Sequence, residues 1–180
     1  MKKILILAIA LFAISCNDDD VPQIINEEEV ITTVEVTMTN STDPNNVVIL
    51  RSVDSDGDGP NLPVNTITGN ILANASYLGS TRFLNELESP VEDITLEVQD
   101  ESLEHEVFYL TTASGVTIAK TDVDTAGNPL GLRFNLQTAA AGTGTMTVVL
   151  RHEPTKPNDN TLTGAGGETD AQVTFNVTVQ

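Results

Sequence analysis

The stretch VITTVEVTMT at residues 30–39 decides the fold, because apolar and polar residues alternate along it. Val34, Val36 and Met38 fall at every second position, which is the period of a β-strand with one buried face. A turn cluster at residues 40–46 follows, and the strand pattern then returns at residues 47–53. The main domain therefore begins with two strands joined by a short turn.

Strand patterns recur at short intervals through the rest of the chain, separated by Gly, Pro, Asn and Asp. They cover residues 65–73, 77–84, 103–111, 115–121, 132–138, 143–152 and 171–179. This spacing predicts an all-β domain over residues 30–180, an immunoglobulin-like β-sandwich of about eight strands with one short helix.

The helix is predicted from the segment SPVEDITLEVQDE at residues 89–101. Ser89 can cap a helix, Pro90 suits its first position, and Glu92 completes a capping box. We expect a helix over residues 90–101. Alternating apolar residues within the segment leave a strand as the other interpretation.

The N-terminus has the pattern of a lipoprotein signal peptide over residues 1–15. Two lysines precede an uncharged apolar run that is too short to cross a bilayer, and Cys16 follows a small residue. Cys16 is the only cysteine, so it cannot form an internal disulfide, and we expect its thiol to carry the lipid anchor. An ordinary signal peptide with an unrelated cysteine is the alternative.

We interpret residues 16–29 as a lipidated acidic tether, after which the domain begins. The run Asp18-Asp19-Asp20 resembles the acidic export signal of Bacteroidota lipoproteins. The resemblance implies an outer-membrane, lipid-anchored protein displayed at the cell surface. The alternative is a solvated tether whose charges only repel anionic headgroups.

Composition excludes several partners and activities. The chain has 26 Asp and Glu against 8 Lys and Arg, a net charge of −18. Such a charge argues against nucleic acid and against peripheral binding to anionic lipid, so the membrane is contacted through the lipid anchor, and it favours divalent cations. The sequence contains no G-x-S-x-G, H-E-x-x-H or P-loop motif, and we expect no enzymatic activity.

An acidic loop offers a candidate calcium site. Asp54, Asp56 and Asp58 are followed by Gly59, as in the first half of a calcium-binding loop, where carboxylates converge around a sharp turn. The twelfth position is Asn65 instead of Glu, so the loop is not an EF-hand. Asn61 or a distant carboxylate would have to complete the site. An exposed Gly-Asp turn between strands is the competing interpretation.

The two histidines offer a candidate transition-metal site. His105 and His152 each end the apolar face of a predicted strand, so they meet if the two strands are neighbours. Glu106 and Glu153 lie beside them in sequence and could complete a Zn²⁺, Cu²⁺ or Fe site. Strand alternation directs both glutamates to the opposite face unless a bulge re-aims them. Two histidines each paired with a nearby acid are the alternative.

Several segments resemble a family of small flavobacterial (Bacteroidota) outer-membrane lipoproteins, often labelled as a type 1 periplasmic binding fold superfamily. These segments are residues 52–61, 83–90, 104–109, 150–154 and 164–170. The resemblance implies an accessory role beside a TonB-dependent receptor as partner. A periplasmic-binding fold needs alternating βαβ units in two domains, so the fold prediction remains the sandwich.

Two functions follow as hypotheses. The first is a surface-exposed, non-catalytic binding accessory to TonB-dependent uptake of a metal or metal complex, which requires His105 and His152 to lie close together. The second is a structural or adhesive surface module with at most a calcium-braced loop, in which the histidines lie far apart.

Overall fold

Alternating burial along the strands organises the chain into two antiparallel sheets. The structure, a computed structural model, describes residues 29–57 and 59–180. Its strands are β1 Thr33–Asn40, β2 Val47–Val53, β3 Val64–Thr68, β4 Ser76–Leu84, β5 His105–Thr111, β6 Thr117–Lys120, β7 Arg133–Gln137, β8 Gly142–His152 and β9 Glu168–Val179. Two short helices, α1 Ile94–Asp100 and α2 Leu162–Ala165, complete the described elements. The all-β prediction is confirmed.

The strand order is that of an immunoglobulin-type sandwich with an added hairpin. One sheet has the order β3-β2-β1-β4-β7-β6, and the other has β5-β8-β9. The strands β1, β4, β7 and β6 correspond to A, B, E and D of the immunoglobulin fold, and β5, β8 and β9 correspond to C, F and G. The β2–β3 hairpin extends the first sheet beyond the A position.

The inward faces of the two sheets form one apolar core. Val36, Met38 and Leu50 contribute from the larger sheet, and Val148 and Leu150 from the smaller one; all are almost completely buried. Because the chain has no tryptophan and only a few aromatic residues, branched aliphatic side chains supply most of this core. Its packing sets the register that places side chains at the ends of the sandwich.

One inward position is a glycine because an aromatic ring occupies its space. Gly79 of β4 lies opposite Phe134 of β7. A Cβ added at Gly79 would lie 2.2 Å from the Phe134 ring. The same ring packs against Tyr109, with centroids 4.4 Å apart. The glycine thus allows the ring to cross the strand and connect the two sheets.

The predicted helix begins later than expected. Its N-cap is Asp93, whose side chain accepts a hydrogen bond from the Thr95 N–H. Glu92 forms two backbone hydrogen bonds with Asn85 in an antiparallel bridge, which holds it extended. The expected start at residue 90, with Ser89 as the cap, was therefore wrong, because strand pairing competes with the capping box. The second helix, α2, was not expected, because the sequence predicted only one.

The predictions for residues 1–28, including the signal peptide, Cys16 and most of the tether, concern residues outside the described ones. Neither helix of the described part has the length and apolar character needed to span a bilayer.

Candidate metal centre

The two histidines stack on each other at one end of the sandwich. His105 is the first residue of β5, His152 is the last residue of β8, and they face each other in the β5–β8 register. Their ring centroids lie 4.9 Å apart with an interplanar angle of 17°. Both residues are buried. Strand pairing thus brings together two side chains that are 47 positions apart in the sequence.

A β-bulge in β9 adds a carboxylate to this pair. In the β8–β9 ladder, Leu150 pairs with Ala171 but Arg151 pairs with Thr169, so Asp170 is the extra residue. A bulge re-aims the side chain of its extra residue, and this one is directed to the histidines. Asp170 Oδ2 lies 3.7 Å from His105 Nε2, and Asp170 Oδ1 lies 3.9 Å from His152 Nδ1.

Glu29 lies on another side of His105. Its Oε1 is 3.3 Å from His105 Nε2, and its side chain is 4% exposed. The other ring nitrogen, Nδ1, lies 3.3 Å from the backbone carbonyl of Glu101. Because a carbonyl only accepts hydrogen bonds, this contact places the proton of a neutral ring on Nδ1. Nε2, the other ring nitrogen, faces the carboxylates of Glu29 and Asp170.

The cluster has unsatisfied polar atoms at its centre. His105 Nε2, both carboxylate oxygens of Glu29 and Asp170 Oδ2 are buried and have no hydrogen-bond partner among residues 29–57 and 59–180. Each unsatisfied buried polar atom costs about 1–3 kcal/mol, and the neighbouring carboxylates of Glu29 and Asp170 repel each other. A cation bound between these atoms would remove both penalties.

The distances suit a transition metal. Two ligand atoms bound tetrahedrally to Zn²⁺ at about 2.1 Å lie about 3.4 Å apart. His105 Nε2 is 3.3 Å from Glu29 Oε1 and 3.7 Å from Asp170 Oδ2. Ligand atoms of His105, His152 and Asp170 all lie within 4.8 Å of one another, as do those of Glu29, Glu101 and His105. Imidazole and carboxylate donors together suit Zn²⁺, Fe or Mn²⁺.

Neighbouring charges in the cluster affect the pKa of one of its members, Asp170. Burial, together with the nearby carboxylate of Glu29, raises the pKa of Asp170 to about 6, although both histidines oppose the shift. The contact of His105 Nδ1 with a backbone carbonyl matches the way metal-binding histidines are oriented in proteins. We refer to Glu29, His105, His152 and Asp170 as the metal cluster.

The two glutamates predicted as ligands lie elsewhere. Glu106 is buried on the opposite face of β5, where Lys120 Nζ donates to its Oε1 at 2.5 Å and the Asn158 amide donates to its Oε2 at 2.7 Å. Glu153 is exposed, just after β8, and has a φ of 48°. Neither belongs to a potential ligand group in the described part of the chain. Strand alternation holds for Glu106, and no bulge re-aims it.

The Glu106–Lys120 ion pair instead supports the smaller sheet from outside. Lys120 Nζ lies 3.8 Å from the centroid of the Phe108 ring. Burial lowers the pKa of Lys120, and the hydrogen bond from its ammonium to Glu106 opposes that shift. These contacts give Glu106 a structural role.

The acidic loop reaches the same end of the sandwich as the metal cluster. Asp54 follows β2, and its N–H donates to the carbonyl of Thr32 at 2.7 Å. Asp56 Oδ2 accepts hydrogen bonds from the backbone and side chain of Asn61, at 3.3 Å and 2.6 Å. Its Oδ1 is buried and accepts none from any described residue. Asp58, the third predicted calcium ligand, lies outside the described residues.

Comparisons with protein-family models, curated proteins and solved structures find no match for the chain. The resemblance to flavobacterial lipoproteins therefore stays a prediction, and function is inferred from the site itself.

Two members of the metal cluster were missed by sequence reasoning. Glu29 was assigned to the tether because strand alternation begins after it. Asp170 precedes the regular alternation of β9, and a bulge leaves no periodic signal in a single sequence. The only available hint was an acidic residue next to the start of a strand that pairs with a histidine-bearing strand.

Proposed function

We propose that this chain is a non-catalytic, transition-metal-binding lipoprotein domain that serves as an accessory to TonB-dependent uptake at the outer membrane. The observation that carries the metal-binding part is the metal cluster, where His105 Nε2 lies 3.3 Å from Glu29 Oε1 and 3.7 Å from Asp170 Oδ2, two carboxylate oxygens that are themselves buried. The lipid anchor and the receptor partner are supported by the pattern around Cys16 and by the flavobacterial resemblance.

Binding and handing over an ion suits this arrangement better than catalysis. A catalytic metal needs an open coordination position beside a space for substrate. The cavity next to His152 and Asp170 has a volume of only about 130 Å³. That is less than the usual volume of a small-molecule site, about 300–1,000 Å³. A larger cavity of about 400 Å³ also adjoins Glu29 and Asp170, but four carboxylates line it, which suits cations better than an organic substrate. A bare or hydrated ion is therefore the favoured ligand.

The alternative, a structural or adhesive module, expects histidines that are far apart. The 4.9 Å stacking distance favours the metal-binding hypothesis over it. A calcium-braced loop is compatible with either function, since it involves other carboxylates.

Zinc binding by the full-length protein tests the proposal directly. Isothermal titration is expected to give one high-affinity Zn²⁺ per chain, and His105→Ala is expected to weaken it at least about 10-fold, since even indirect contacts to a metal are worth 10–100-fold. Co²⁺ substituted for Zn²⁺ would report the coordination through its visible absorption.

Glu153→Gln is the matched control, because Glu153 adjoins His152 in sequence but is exposed and outside the cluster. Its Zn²⁺ affinity is expected to equal that of the wild type. Equal affinity of His105→Ala and the wild type, or no Zn²⁺ heat at all, would contradict the proposal.

A further inference from the structure

A single cavity joins the acidic loop to the metal cluster. It has a volume of about 400 Å³ and is lined by Glu29, Asp54, Asp56 and Asp170, with apolar walls from neighbouring residues. We call it the acidic cavity. Two of its carboxylates, those of Glu29 and Asp170, also belong to the metal cluster, and the other two come from the predicted calcium loop.

The acidic cavity contains carboxylate oxygens without partners. Both oxygens of Glu29, Oδ1 of Asp56 and Oδ2 of Asp170 are buried and accept no hydrogen bond from the described residues. The side chains of Glu29 and Asp170 are 4% and 10% exposed. These oxygens belong to different segments of the chain, so local turn geometry does not explain their convergence.

No lysine or arginine forms an ion pair with these carboxylates in the described part of the chain. There, the ion pairs of lysine and arginine involve other acids. One ion at the histidines would leave the loop side of the cavity negative.

We propose that the acidic cavity is a second cation site, which binds a partly hydrated Ca²⁺ between the acidic loop and the shared carboxylates of Glu29 and Asp170. The donors on the loop side are all oxygen, which hard cations prefer. Glu29 and Asp170 take the place of the missing twelfth-position glutamate. The loop is thereby attached to the start of the domain and to β9.

Calcium fits the cavity better than a second transition metal. Every described group of three ligand atoms within 4.8 Å includes His105, so the loop carboxylates are too widely spaced to enclose a small ion directly. Ca²⁺ accepts six to eight oxygens in flexible geometry, including water. The cavity has room for several waters at about 30 Å³ each.

This inference rests on the proposed function in one respect, since the calcium site shares Glu29 and Asp170 with the metal cluster. The two ions are nevertheless separable by variants. Asp54→Asn with Asp56→Asn changes only the calcium side, and His105→Ala changes only the transition-metal side. Glu29→Gln changes both.

Calorimetric titration of the full-length protein with CaCl₂ is the test. The wild type is expected to bind one Ca²⁺ with a dissociation constant of about 10⁻⁴–10⁻³ M, the range of extracellular calcium modules. The Asp54→Asn, Asp56→Asn double variant and Glu29→Gln are each expected to weaken binding at least about 10-fold, since even indirect contacts to a metal are worth about 10–100-fold. His105→Ala is expected to leave it within about twofold.

Asp43→Asn is the control, because Asp43 is an exposed turn acid beyond the other end of β1. Should a variant fail to fold, Tb³⁺ bound to the wild type gives a second measurement. Its luminescence lifetime in H₂O and D₂O is expected to report more than one bound water, and displacement by Ca²⁺ is expected to quench the signal.

The outcomes separate the two proposals. Calcium binding that is absent, or unchanged in the double variant, overturns the second site even if Zn²⁺ binds. Calcium binding that survives Glu29→Gln unchanged overturns the sharing of carboxylates. Zinc binding that is absent while Ca²⁺ binds overturns the proposed function and leaves the calcium site in place.

Discussion

Replacing Glu29 by glutamine is expected to have opposite consequences in the metal-free and metal-loaded protein. Without metal, Glu29 holds two buried carboxylate oxygens that have no hydrogen-bond partner among the described residues. It also contributes to the raised pKa of Asp170. Removing a buried charge that lacks partners relieves about 1–3 kcal/mol. Glu29→Gln should therefore stabilise the metal-free protein at about pH 8, where free imidazole is neutral.

With metal present, the same substitution removes a ligand. At a free Zn²⁺ concentration of 100 times the dissociation constant, the wild type gains about 2.7 kcal/mol. If the substitution weakens binding about 100-fold, the gain at that Zn²⁺ concentration falls to about 0.4 kcal/mol. A change of 1 kcal/mol shifts the melting temperature of a chain this long by about 2–4 °C. Zinc should thus raise the wild-type melting temperature by about 5–11 °C and that of the variant by about 1–2 °C.

Thermal unfolding followed by circular dichroism, in chelator and in buffered Zn²⁺, measures both effects. The exposed Glu88 provides the control Glu88→Gln, for which both melting temperatures should match the wild type. A variant that melts lower than the wild type in chelator and keeps the full zinc increment would refute the assignment of Glu29 as an unsatisfied ligand.

Two further substitutions test the fold around the site. Gly79→Ala should lower the free energy of unfolding by about 1–3 kcal/mol, because the new methyl group overlaps the Phe134 ring. Denaturant titration should show this loss. An unchanged denaturation midpoint would contradict the close approach of the Phe134 ring to Gly79. Glu106→Gln should lower stability by about 3 kcal/mol, because the buried Lys120 loses its charged partner, yet leave Zn²⁺ affinity unchanged. Adding Lys120→Met to that variant should recover part of the loss, and a weakened Zn²⁺ affinity would return Glu106 to the list of ligands.

Strand positions were largely accessible from the sequence because each sheet has one buried face. Residues 47–53 were predicted as a strand and form β2 with those limits. Alternation is weaker where both faces are exposed, and β3 is accordingly shorter than the predicted strand at residues 65–73. The helix start was misplaced because the backbone pairing of Glu92 with Asn85 is a tertiary contact that no local pattern reveals.

The candidate site could be predicted from the sequence only in part. Alternation put His105 and His152 at the ends of apolar faces, and their meeting then depended on β5 and β8 being neighbours. The carboxylates could not be found in this way. Asp170 leaves the alternation at a bulge, and Glu29 precedes the first strand, so both come to the histidines through tertiary structure alone. Sequence neighbours such as Glu106 were misleading because adjacent residues of a strand point to opposite faces.

The bulge at Asp170 also shows that this member of the metal cluster is independent of the strand pairing that builds the sandwich. On either side of it the β8–β9 ladder is regular, so Asp170 is one residue more than continuous pairing requires. The core-facing residues of β9 keep their partners whether or not that residue is present. The carboxylate that faces both histidines is thus an insertion into a scaffold that is complete without it. A chain of this fold can gain or lose this carboxylate by a one-residue change in length while its hydrophobic core stays the same.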